Sequence, residues 1–258
     1  MSHQPRKRFG QNFLKDERVI HAIVGAIAPK ASDHLVEIGP GQGALTVFLL
    51  DAGGQLDVVE LDRDLVELLK RRYAGRADIR IHGADALRFD FASLAQGQKL
   101  RIVGNLPYNI STPLLFRLFE QAGVIEDMHF MLQKEVVERL CAEPGGKDWG
   151  RLGVMARYHC RAEWVMDVSP ESFCPVPKVM SSVVRLLPHA APPVALARET
   201  LNTVVVAAFS QRRKTLRNAL GGLLGVAQIE AAGVDPAARA ETLTLEQFAR
   251  LAERLHQP

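Results

Sequence analysis

In the first two-thirds of the chain, short apolar runs alternate with stretches of helical spacing, and the runs end on a glycine, an acid or an amide. Strand-like runs fall at Leu35-Val36-Glu37-Ile38, Leu56-Asp57-Val58-Val59-Glu60, Ile79-Arg80-Ile81-His82 and Leu100-Arg101-Ile102-Val103-Gly104. Helical spacing covers residues 19–27, 45–51 and 65–72. Parallel strands need crossovers of this kind, so the alternation predicts an α/β fold with a doubly wound, mostly parallel sheet. In such sheets ligands bind outside the carboxyl ends of the strands, which makes the residues that end each run the candidate site.

Farther on, residues 127–132 read as another strand and 134–141 as a helix, while 154–159 fit either. A proline-rich piece precedes a β-like run over 182–187, and Pro188 with Pro192-Pro193 marks a linker. Beyond it the spacing is helical over 196–209, through a basic stretch to residue 224, and again after Thr244. Thr244 with Gln247 matches a capping box there. The expected division is an α/β domain over residues 1–188 and a small α-helical domain over 189–258, which suits a chain of 258 residues that is 47% apolar.

One strand end stands out. Asn105-Leu106-Pro107-Tyr108 brings an amide, a rigid turn and an aromatic ring to a single strand terminus. These groups fit methylation of the exocyclic amine of adenine, a poor nucleophile because its lone pair is delocalised into the ring. Acceptors on both N–H groups free that lone pair. The Asn105 side-chain oxygen and the Leu106 carbonyl are the candidate acceptors, with Leu106 biased to extended backbone by Pro107. Tyr108 would stack on a base that has left its helix. Taken alone, the tetrapeptide reads equally well as an ordinary Asn-Pro turn with a packed tyrosine.

The turn Gly39-Pro40-Gly41-Gln42-Gly43 follows a strand and opens a helix, the context of a nucleotide-binding turn. Its glycines are spaced G-x-G-x-G rather than G-x-G-x-x-G, and Pro40 removes an N–H that a pyrophosphate would use. S-adenosylmethionine, which carries adenosine without phosphate, fits better than NAD, although a dehydrogenase remains the alternative. Glu60 lies near the offset of a ribose-binding acid, and Asp85 follows the third strand as a candidate partner for the cofactor's adenine amine. Seen singly, each acid also reads as a solvated loop carboxylate.

Net charge is only +3, but the basic residues cluster. Arg6, Lys7 and Arg8 form one acid-free run, and Arg212, Arg213, Lys214 and Arg217 another. A polyanionic partner would use such patches, though each run alone also reads as a solvated face. Three cysteines without a C-x-x-C pair suggest free thiols, and no histidine pattern points to a metal. Neither a signal segment nor a membrane-spanning apolar run is apparent, so a cytoplasmic monomer without membrane contact is expected.

Together these motifs resemble the ribosomal RNA adenine N6-dimethyltransferases. The likeness rests on residues 8–14 (Arg8-Phe9-Gly10-Gln11-Asn12-Phe13-Leu14), 36–43, Val59-Glu60-Leu61-Asp62 and Asn105-Leu106-Pro107-Tyr108-Asn109-Ile110-Ser111. It continues through Phe173-Cys174-Pro175-Val176-Pro177-Lys178-Val179 and residues 209–216. The resemblance implies a Rossmann-like class I S-adenosylmethionine-dependent methyltransferase domain with a small C-terminal helical domain. It implies that Asn12, Leu14, Gly39, Gly41, Glu60, Asp85 and Asn105 surround S-adenosylmethionine, and that Phe173 shares the base pocket with Tyr108. The implied substrate is the 3′-terminal hairpin of 16S rRNA in an immature small subunit, where two adjacent adenosines are dimethylated. The alternatives are a large-subunit rRNA methyltransferase of the macrolide-resistance type and a mainly non-catalytic ribosome-assembly factor.

Overall fold

The computed structural model describes residues 11–211 and 213–256. Its strands are β1 (Phe13–Leu14), β2 (His34–Ile38), β3 (Gln55–Glu60), β4 (Ile79–Gly83), β5 (Leu100–Asn105), β6 (Ile125–Gln133), β7 (Cys160–Val168), β8 (Phe173–Cys174) and β9 (Ser181–Pro188). The helices are α1 (Glu17–Ile27), α2 (Thr46–Asp51), α3 (Arg63–Arg72), α4 (Ala92–Ala95), α5 (Ser111–Glu120), α6 (Lys134–Leu140) and α7 (Arg151–His159). They continue with α8 (Arg198–Phe209), α9 (Leu216–Ala219), α10 (Val226–Ala231) and α11 (Leu245–Glu253). Residues 154–159, open between helix and strand in the sequence, belong to α7.

Seven strands form one sheet in the order β4-β3-β2-β5-β6-β9-β7. The pairs from β4 to β6 are parallel and β9 runs antiparallel to β6. The chain winds outward from β2 to β4 and then returns to β5, so the order reverses between β2 and β5. Ligand crevices open at such reversals. The central strands are buried along nearly their whole length, as Val36, Val58, Ile102 and Val103 are, which is why they read as continuous apolar runs. Local signals set the helix starts. Asp16 accepts from the Arg18 and Val19 amides to open α1, and Asp62 accepts from the Asp64 amide to open α3.

The chain divides into two compact units, one through Val137 together with Glu163–Pro188, the other of Glu138–Ala162 with His189 onward. Residues 138–162 thus group with the second unit, whereas the expected boundary at 188 left them in the first. Within the second unit α7 supplies the reason: Tyr158 donates to the Leu196 carbonyl (2.7 Å), and Trp149 just before it donates to that of Leu243 (2.9 Å). The basic stretch after α8 is not a continued helix. The Ser210 hydroxyl turns back onto the Ala207 carbonyl (2.7 Å), and the Leu216 and Arg217 amides bond to Ala238 (2.8 Å) and Pro236 (3.0 Å). Those amides are therefore spent on tertiary partners. In α11 the Thr244–Gln247 box forms as expected, with Gln247 Oε1 accepting from the Thr244 amide at 2.9 Å. Among the described residues, no helix is long and apolar enough to cross a membrane.

Candidate active site

A cleft of about 340 Å³ opens at the carboxyl ends of β2, β3 and β5, where the strand order reverses. The glycine-rich turn, Glu60, Asp85 and the segment 105–108 all line it, together with Gln11, Asn12, Phe13 and Leu14. The structure therefore brings together Asn12, Leu14, Gly39, Gly41, Glu60, Asp85, Asn105, Leu106, Pro107 and Tyr108. Two glycines are required by close approach. At Gly104 a Cβ would meet the Ile38 carbonyl oxygen at 2.5 Å, and at Gly41, where φ is +59°, it would meet the Phe13 ring at 2.9 Å.

The N-terminal wall is anchored from far along the chain. β1 pairs antiparallel with β8, placing Phe13 opposite Cys174 and Leu14 opposite Phe173. Asn105 Nδ2 donates to the Asn12 carbonyl at 3.0 Å. With its NH₂ so occupied, the amide presents its oxygen as the remaining acceptor in the cleft. Tyr108 shares a 2.8 Å hydrogen bond with Ser181 Oγ. Burial raises the Tyr108 phenol above its ordinary pKa against the opposing effect of that bond, so the ring stays neutral.

Phe173, which the resemblance assigns to the base pocket, pairs with Leu14 behind the cleft's N-terminal wall. It is fully buried and packs with Leu14 and Val183 in the hydrophobic core; it is not among the residues lining the cleft. Of the basic residues, Arg213, Lys214 and Arg217 are exposed in the second unit, on the turn after α8 and on α9 rather than along one helix. Arg6, Lys7, Arg8 and Arg212 lie outside the described residues.

Three groups escaped the sequence reading. Phe13 packs against Gly41, and Gln11 Nε2 donates to Asp62 at 3.2 Å, so residues 11–14 close over the turn. Glu37 is the third. Its carboxyl is fully buried, accepts from Thr46 Oγ1 at 2.6 Å, and is pushed up to about 7 by burial, with the Glu60 charge adding to the rise. The available signal was an acid near the end of an otherwise apolar strand.

The electrostatics of the lining decide what fits. Among the described residues it includes Glu37, Glu60 and Asp85 but no lysine, arginine or histidine. These acids would repel a pyrophosphate, whereas a sulfonium compound without phosphate would be attracted. The Glu60 carboxylate is raised by burial and is oriented by the backbone N–H groups of Asp62, Gly41 and Leu61, the first at 2.8 Å. Asp85 Oδ1 accepts from the Leu87 amide at 3.0 Å, which likewise fixes its carboxylate. These residues suit an adenosine bearing ribose hydroxyls and a cationic tail.

A family model described as ribosomal RNA adenine dimethylase matches residues 2–257. The chain belongs to the ribosomal RNA adenine dimethylase family. A relative in Methylococcus capsulatus named ribosomal RNA small subunit methyltransferase A is 60% identical over 256 residues, covering 99% of this chain and 100% of the relative. Its namesake in Pseudomonas aeruginosa is 60% identical, covering 98% and 95%. Among solved structures, a dimethyladenosine transferase from Plasmodium falciparum superposes with a TM-score of 0.76 at 26% identity, covering 93% of this chain and 95% of that one. The 23S rRNA methyltransferase ErmE superposes with a TM-score of 0.74 at 30% identity, covering 95% and 100%. The adenine dimethylase fold is thus a class I S-adenosylmethionine-dependent methyltransferase, and S-adenosylmethionine is its cofactor. When bound, the cofactor supplies an electrophilic methyl group on sulfur.

Proposed function

We propose that this chain dimethylates N6 of two adjacent adenosines in the 3′-terminal hairpin of 16S rRNA, within an immature small ribosomal subunit. The reading is of a cytoplasmic monomer. The observation that supports it is the Asn105–Asn12 hydrogen bond, which engages the amide nitrogen and leaves the oxygen as the acceptor available beside the glycine-rich turn. That oxygen and the Leu106 carbonyl accept from the two N–H groups of the adenine amine and draw its nitrogen toward tetrahedral geometry. Tyr108 stacks on the base. None of these groups takes a proton during methyl transfer, because the amine nitrogen becomes acidic only after the methyl has arrived. Catalysis comes from positioning and hydrogen bonding. The small-subunit reading is preferred over a large-subunit one because the relatives named for the small subunit are 60% identical, against 30% for the 23S enzyme.

Mass spectrometry of 16S rRNA from cells lacking this gene should show two missing dimethyladenosines. Intact dimethylation there would overturn the assignment. Arg213, Lys214 and Arg217 are assigned to RNA phosphates, with Arg6, Lys7, Arg8 and Arg212 completing the two basic runs. Each lost contact should flatten the salt dependence of RNA binding by about 0.7–0.9 log units per log of salt. An unchanged slope would make the cluster a solvated face.

A further inference from the structure

The last turn of α3 carries Lys70, Arg71 and Arg72. Two of these bond within their own helix: Lys70 pairs with Glu67 at 3.4 Å, and Arg71 donates to the Glu67 carbonyl at 3.2 Å. Arg72 reaches elsewhere. Its guanidinium donates through Nη1 to the carbonyl of Gln42, in the glycine-rich turn 30 residues earlier. The next residue of that turn, Gly43, is packed against the same helix. A Cβ there would meet Arg72 Nη1 at 3.2 Å, Tyr73 Oη at 3.4 Å and Leu69 Cδ2 at 3.5 Å. Gly39, Pro40, Gly41 and Gln42 line the cleft, whereas Gly43 and Arg72 do not, so α3 holds the turn from the side away from the ligand.

The turn needs such a hold. Gly39, Gly41 and Gly43 all have positive φ, at +65°, +59° and +85°, and glycine loses the most conformational freedom when it is ordered. The Gly39 amide is tied to the Val59 carbonyl at 2.9 Å, and the Gly43 amide closes back on that of Pro40 at 2.9 Å. The helix that follows, α2, opens at Leu45 with no side-chain cap, so the usual local means of fixing a helix entry is absent from it. Arg72 supplies a remote one. We propose that Arg72 is a positioning residue for S-adenosylmethionine, which holds the glycine-rich turn in its ligand-ready shape through the Gln42 carbonyl. A turn that is already ordered loses less freedom when the ligand arrives and therefore binds it more tightly. This role is independent of which RNA is methylated.

The test is equilibrium binding of S-adenosylmethionine and of S-adenosylhomocysteine to wild type, Arg72→Met and Arg72→Lys. Melting temperature and amide hydrogen exchange over residues 41–45 are measured on the same cofactor-free samples. Arg72→Met should weaken both ligands by the same factor, about tenfold, the scale of a lost charged hydrogen bond. Its turn amides should exchange faster, while its melting temperature stays at the wild-type value because Arg72 is exposed. Arg72→Lys, which keeps one charged donor, should fall between the two. Binding of both ligands by Arg72→Met within about twofold of wild type overturns the role. The homocysteine product lacks the sulfonium charge, so the pair of ligands separates positioning from a field effect. Tighter binding of S-adenosylmethionine relative to the product in Arg72→Met would mean that Arg72 acts by its charge, and overturns positioning. A lowered melting temperature with unchanged exchange in the turn overturns it as well, by making Arg72 a structural residue only.

Discussion

Asp57 and Glu60 lie on one strand, β3, and both are buried, yet their carboxyl groups are held in opposite ways. Burial would raise Asp57, but hydrogen bonds from His82 and His34 and the charge of Arg80 outweigh it and hold the carboxyl below its ordinary range. Arg80 grips it with two bonds, at 2.9 and 2.7 Å. Asp127 on β6 is treated likewise. Arg101 reaches both its oxygens, at 2.9 and 3.0 Å, and bonds Asp33 at 2.6 Å. At the cleft, Glu60 and Glu37 are both raised by burial, with hydroxyl and backbone N–H groups as their donors in place of cations. Away from the cleft, buried charge is cancelled within the fold. At the cleft it is left for a ligand to answer.

If that division is correct, removing a cation from the paired region should cost stability, and removing a group from the cleft should cost activity. Arg101→Met leaves Asp127 with Arg185 (3.2 Å) and Asp33 with the Lys30 amide (2.9 Å) as their remaining partners and should destabilise the chain by about 3 kcal/mol in urea unfolding, leaving cofactor affinity of the folded fraction intact. A loss below about 1 kcal/mol would break the comparison on the structural side. Asn105→Ala should lower methyl transfer by about 10²–10³-fold while RNA binding and melting temperature stay near wild type. Wild-type turnover in that variant would refute the proposed mechanism.

The smallest effect is a difference in pH dependence. Glu37 rises from 4.5 to about 7 on folding, so its contribution to stability is fully present below pH 4.5, is lost as pH rises through 7, and is constant above. Asp57 and Asp127 have the reverse sign: their contribution is present above their ordinary value of 3.8 and is lost as pH falls through their lowered values. In the cofactor-free chain, Glu37→Gln should therefore gain on wild type by up to about 1.4 kcal/mol per pH unit between roughly pH 4.5 and 7, then level off. A difference independent of pH would remove Glu37 from the comparison. His129, beside Asp127, is pushed down to about 4 by burial and stays neutral through this window.

What could be read in advance was local. The strands β2 to β6, the glycine-rich turn, Glu60, Asp85 and Asn105 each announce themselves within a few residues, because burial on both faces writes a continuous apolar run and the site sits where such runs stop. β7 was missed because an edge strand with Trp164 and Val165 both exposed shows no alternation. The helix α5 went unassigned behind the Asn-Pro-Tyr turn. Asn12 and Leu14 entered the site only through family resemblance, since their partners, Asn105 and Phe173, are remote in sequence. Phe173, opposite Leu14, packs in the core. The Asp57 cluster was invisible for a related reason, as three strands must align before His34, Arg80 and His82 meet one carboxylate.

The pairing of β1 with β8 also orders events during synthesis. The front wall of the cleft is among the first segments to leave the ribosome, but the strand that holds it exists only after Cys174 has been made. The Lys15 amide likewise waits for the Ser172 carbonyl, 2.9 Å away in the finished chain. A nascent chain ending before that point already carries Glu60, Asp85 and Asn105, yet lacks the strand that pairs with residues 13 and 14. The front wall of the cleft is therefore completed only late in translation.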